Sequence, residues 1–298
     1  LGVYNVAVGV NALLTQNFTT STFSYNTAVG TDAGKSVTTG VENTILGGLA
    51  ADALTTGGQN VALGYVALTA DTVGSKAVAI GFRSLGAQNY GTATDSLNTA
   101  VGYDSARSVT TGIFNTVIGG LAGDALTDAD FNVAVGKSAL TTETLGSRST
   151  AIGTSALSNQ NNATATDVYN TAVGFEAGGT VTTGIQNTIL GARAADALTD
   201  ADNNTALGAF SLSADTKGGR SVAVGVVALA SQNFTTSTDN YNVGVGYQAG
   251  GNITTGVFNT LIGGLAGDAL TDADHNVAIG EEALGSDTLG SRSVAIGR

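Results

Sequence analysis

The chain has 298 residues, no Cys, Met, Trp or Pro, and 43 glycines, a composition suited to a regular stack of small side chains rather than to an ordinary enzyme of this length. Eleven basic against 23 acidic side chains leave a net charge of −12, and the acids are dispersed, which argues against a nucleic-acid partner or insertion at an anionic membrane. Without cysteine there is no disulfide framework or thiolate metal site, and no apolar run reaches the roughly 18 residues of a membrane helix.

The first predicted element is the word NVAVG at 5–9. It returns as NTAVG at 26–30, NTILG at 43–47, NVALG at 60–64 and AVAIG at 77–81, and continues to SVAIG at 293–297. The closing glycines are spaced 21, 17, 17 and 17 residues apart, and that order then repeats three more times, so four coils make a 72-residue block. A fixed period of this kind marks a stacked repeat array. Residues 1–9 align with 289–297, four blocks later, so 1–298 is expected to be a single solenoid domain cut from a longer fibre.

Inside each word the residue before Gly is Val, Ile or Leu, the one before that is usually Ala, and the next is Val or Thr. Alternation with a period of two predicts a short β-strand. The aliphatic before Gly is expected to form an internal column, leaving Ala and Gly on a face where a second chain can come close. Asn opens thirteen of the seventeen words and has two readings: an inward ladder of stacked amides, or a turn residue in left-handed geometry. Ala or Ser three residues past each Gly suggests a second short strand. The Thr-, Ser-, Gly- and Asp-rich remainder is turn chemistry. Coils of 17 and 21 residues with so little strand must stack, which predicts an all-β parallel β-solenoid with adjacent coils about 4.8 Å apart. The absence of proline agrees, since a residue without an N–H breaks the ladder between coils.

The words SVAIG, NTAVG and NVAIG, each followed by x-x-Ala, resemble the head repeats of trimeric autotransporter adhesins of the Yersinia type. NTAVGFEAGG at 170–179 and NVGVGYQAGG at 242–251 are similar to repeats of bacteriophage tail-fibre proteins. The resemblance implies a left-handed β-roll, a homotrimeric rod, an extracellular, cell-surface or virion location, and contact with a host glycan or matrix protein. The coils are longer than the usual adhesin repeat, and a regular four-residue insertion is a further departure.

Three groups of residues are candidate sites. The TDAD strings set Asp128 and Asp130, Asp200 and Asp202, and Asp272 and Asp274 at alternate positions, oxygen ligands of the kind Ca²⁺ accepts, against a reading as solvated turns. The insertions of the longer coils carry Phe18, Tyr90 and Phe234, with Asn162 at the fourth place. These rings are candidates for ligand contact, as insertions in solenoids often map to a binding face, or for covering a groove between neighbouring chains. Tyr103, Phe175 and Tyr247 raise the same pair of readings. The single histidine, His275, has Gln59, Phe131 and Asn203 as block equivalents, which suits an exposed turn and not a ligand or base. No catalytic residue or cofactor is expected, since a serine nucleophile would lack a base and there is no thiol. The sequence therefore reads as a structural fibre shaft or adhesive rod. The alternatives are an adhesin head that binds matrix or glycan, an ice- or crystal-surface binder, and a glycan-processing tailspike segment.

Overall fold

The computed structural model describes residues 2–298. These contain short β-strands and turns with no α-helix. They divide into two compact units, one of residues up to 148 with 163–166, the other of 149–162 with 167–298. Each unit is a parallel β-solenoid. In the first, the ladder runs from Val6–Val8 through Thr27–Val29, Thr44–Leu46, Val61–Leu63, Val78–Ile80, Thr99–Val101 and Thr116–Ile118 to Val133–Val135. In the second it runs from Thr150–Ile152 to Val294–Ile296. Word lies on word: Val29, Leu46, Leu63 and Ile80 are successive partners, as the repeat predicts.

The two faces of the strand are the reverse of the expected assignment. The middle residue of the word points inward, and Ala28, Ile45, Ala62, Ala79, Ala100 and Val117 are fully buried. The aliphatic before Gly points outward, with Leu46 45% exposed. The reason is space within a coil of 17 residues. Its interior also receives the fourth residue past Gly (Leu68, Leu85) and the seventh (Leu54, Leu126), all fully buried, so only a small side chain fits opposite them from the strand. Where the word instead carries Ile45, the inward residue eleven positions earlier is Gly34, whose added Cβ would lie 2.7 Å from Ile45 Cδ1. Gly178 with Ile189 and Gly250 with Leu261 repeat that pairing, and the second block has the larger Ala106 with the smaller Val117. Packing at near-constant volume is thus one cause of the 72-residue period.

The predicted second strand after each Gly does not form. The second and fourth residues past Gly are both left-handed, as in Val66 (φ 52°) and Leu68 (φ 52°), and a sign change at alternate residues cannot make a pleat. The amides still join coils. The Val66 N–H donates back to Gly48 O at 3.1 Å, and the Leu68 N–H donates forward to Ser84 O at 3.0 Å. Two-residue strands occur instead at the longer coils, pairing Gly74–Ser75 with Thr94–Asp95 and Gly218–Gly219 with Thr238–Asp239. The word-final glycine is fixed by backbone crowding: Gly102 has φ 141°, and a Cβ there would lie 2.6 Å from Gly119 O.

Asparagine settles as the inward ladder. Asn26 Nδ2 donates to Gly40 O at 2.8 Å, and its Oδ1 accepts the amide N–H of Asn43 at 2.9 Å. Asn43 serves Asn60 in the same way at 3.0 Å, and Asn60 serves Ala77 at 2.9 Å. Each side chain satisfies buried backbone groups that have no other donor or acceptor at hand.

Two stability outcomes follow. Asn60→Ala orphans the Ala77 amide and the Gly74 carbonyl and is expected to cost about 1–3 kcal/mol for each group, read from urea unfolding followed by circular dichroism. Gly102→Ala, with both its φ and its Cβ forbidden, should cost about 3 kcal/mol or more. Gly48→Ala, whose nearest neighbour would be Tyr65 Cδ2 at 3.4 Å, should be near neutral in the same measurement.

Candidate interaction surface

Because every coil repeats the last, each outward position becomes a file of side chains. The aliphatics before Gly form one such file, from Val8 to Val135 in the first unit and from Ile152 to Ile296 in the second. A parallel file of Thr and Val, two residues earlier in each word, runs beside it. With strands about 4.8 Å apart, the eight-strand strip of the first unit is about 34 Å long. Leu46, Ile118, Leu190 and Ile262 all stand exposed on these strips. An exposed aliphatic file of this length makes these strips the candidate association surface.

The residue just before each Asn is left-handed and exposed, and its file carries stacked rings. Phe114 and Phe131 stack at 5.0 Å, with the Arg148 guanidinium 5.0 Å from the Phe131 centroid. In the second unit Tyr241, Phe258 and His275 stack at 5.5 and 4.9 Å, with Arg220 over Tyr241 at 5.7 Å. His275 therefore lies on the surface, as its block equivalents predict. A third stack, one residue past Gly, joins Tyr65, Phe82 and Tyr103 at 5.9 and 5.3 Å.

Phe18, Tyr90 and Phe234 are not placed for ligand contact. They are only 7, 4 and 6% exposed, turned into their own coil. The Tyr90 hydroxyl donates to Gly112 O at 2.8 Å, and burial pushes its phenol pKa well above the ordinary value. The ring fills space where the coil is lengthened: a Cβ on Gly218 would lie 2.7 Å from Phe234 Cδ2. Asn162 is buried at the equivalent place. Beside these rings lie carboxylates that the sequence reading overlooked. Buried Asp215 accepts N–H bonds from Gly218 and Phe234 and a 2.6 Å bond from Gln232 Nε2, and Asp71 accepts Gly74 N–H and Gln88 Nε2. The visible signal was an acid at the seventh place past Gly, where other coils have Val, Ile, Leu or Gln.

The acid pairs of the TDAD strings are bonded from coil to coil. Asp130, Asp202 and Asp274 accept the amides of Ile113, Ile185 and Val257 at 2.7–2.8 Å, and burial raises the pKa of Asp130. Asp128 and Asp272 accept the hydroxyls of Thr111 and Thr255, and Asp200 is 3.5 Å from Lys217. Among the described residues no three acidic, His or Cys side chains gather as a metal site would need.

No protein-family profile matches the chain, and a search of curated proteins finds no match. The fold and these surfaces are therefore what define it as a β-solenoid repeat scaffold.

The strongest charge contact is Arg83 on Asp104, with Nε and Nη2 donating at 2.7 and 2.8 Å. The Arg83 guanidinium holds the Asp104 carboxyl below its ordinary pKa. A depressed folded-state value makes this contribution present above the unfolded aspartate value of about 3.9 and lost as pH falls through the folded one. Acid unfolding of Asp104→Asn should accordingly be less steep below about pH 4 than that of the unmodified chain, measured by stability against pH.

Proposed function

We propose that the chain is a shaft or adhesive section of a homotrimeric fibre, extracellular and carried on a cell surface or a virion, with a mechanical and not a catalytic role. The observation that carries this reading is the outward aliphatic file of each unit. A side chain such as Leu gains about 1.5–3 kcal/mol when fully buried, and the file offers one such residue per coil to a like surface. Identical chains in parallel would bring identical files together at the same rise, so no register has to be negotiated. Ladders of backbone hydrogen bonds supply stiffness, and the exposed ring files and turns are available for contact with a host glycan or matrix protein.

Native mass measurement tests the reading: three times the 29.3 kDa chain mass is expected, and a monomer at micromolar concentration would sink it. Leu63→Glu and Leu190→Glu should each reduce the assembly to single chains while leaving the circular dichroism spectrum unchanged. Ala62→Glu, an inward neighbour, should unfold the coil instead.

A further inference from the structure

One residue past each word-final glycine the chain carries an outward file that holds Val10, Thr31, Tyr65, Phe82, Tyr103, Lys137 and Phe175. Glycine also occurs there, at Gly48, Gly120 and Gly264, and the backbone does not demand it. None of the three has a positive φ, in contrast to the word-final glycines, and a Cβ on Gly120 would meet only Tyr103 O at 4.0 Å, while one on Gly264 would meet nothing within 4 Å. The missing side chain at Gly120 leaves a notch in the file. Below it stands Tyr103, 57% exposed, with one ring face stacked on Phe82 and no ring stacked on the other. Above it stands Lys137, exposed. Two coil steps separate Tyr103 from Lys137, about 9.6 Å, which admits one ring against the tyrosine face with space for an ammonium contact beyond it.

We infer that the notch over Gly120, between Tyr103 and Lys137, binds a six-membered ring that carries a carboxylate, either a uronic-acid sugar or an aromatic acid. The ring stacks on the tyrosine face and the carboxylate meets the Lys137 ammonium in a charge-assisted contact. Arg83 and Arg107 balance Asp104 and Asp124 nearby, so Lys137 sets the local sign in a chain that is otherwise acidic. The second unit supplies an internal control: Gly264 lies between Tyr247 and Glu281, the same notch with the charge reversed. This inference stands on the first unit alone and does not depend on the fibre reading or on trimer formation.

Saturation-transfer NMR and titration with sodium glucuronate, sodium benzoate and neutral glucose test it on the full chain. At least one carboxylate should bind, about tenfold more tightly than glucose, the worth of one charge-assisted contact; which one binds identifies the source of the ring. Gly120→Val fills the notch with the residue that Val10 already places in this file, so the melting curve should hold while binding disappears. Lys137→Gln should abolish the preference over glucose. Absence of carboxylate binding to the unmodified chain, binding that survives Gly120→Val, or a preference that survives Lys137→Gln would each overturn the assignment.

Discussion

The hydrogen bond from one coil to the same place on the next is the constraint from which the rest follows. It fixes the rise, holds every residue beside its equivalent, and turns each position of the repeat into a file running through its unit. A file of like residues must then be tolerable to itself. Asn passes because its amide both donates and accepts, and each one serves the coil after it, as Asn26, Asn43 and Asn60 do. Word-final Gly passes because only a bare Cα can lie so close to the next carbonyl. Rings pass because they stack. Charges pass by alternating in sign, as Arg83, Asp104, Arg107 and Asp124 do.

The period, the strand in each word and its register were legible because spacing alone encodes them, whereas the second strand expected after Gly does not form. The orientation of the strand was not. Alternation states which residues share a face and leaves open which face is inside, and the usual rule of placing Leu and Ile inward fails when the coil is too narrow to hold them on every side. The deciding signal was present but lay outside the word: Leu at the fourth or the seventh place beyond Gly already fills much of the interior, which in most coils leaves alanine as the residue the strand can bring. The same narrowness explains the long coils. Phe18, Tyr90 and Phe234 suggested a binding loop because insertions in solenoids so often form one, yet an insertion also enlarges the coil, and the ring occupies the added space.

The interaction surfaces were legible only in part. Thr31, Tyr103, Phe175 and Tyr247 could be aligned from the sequence, but that Tyr65, Phe82 and Tyr103 make one continuous stack requires knowing that the residues past Gly lie one above another at every step. A repeat in which most positions are fixed by packing makes its exceptions informative. Gly120 and Gly48 stand where neither conformation nor crowding asks for glycine, whereas at Gly102 both do.

Most coils also place three residues with side chains in the left-handed region, for example Gln59, Val66 and Leu68, a conformation that costs a residue with a Cβ about 1–2 kcal/mol. A coil without neighbours would spend several kcal/mol on this and recover almost none of it. The first winding is therefore a rare nucleus and every later one a templated addition, so growth should outpace initiation and loss should proceed by peeling from an end rather than by opening in the middle.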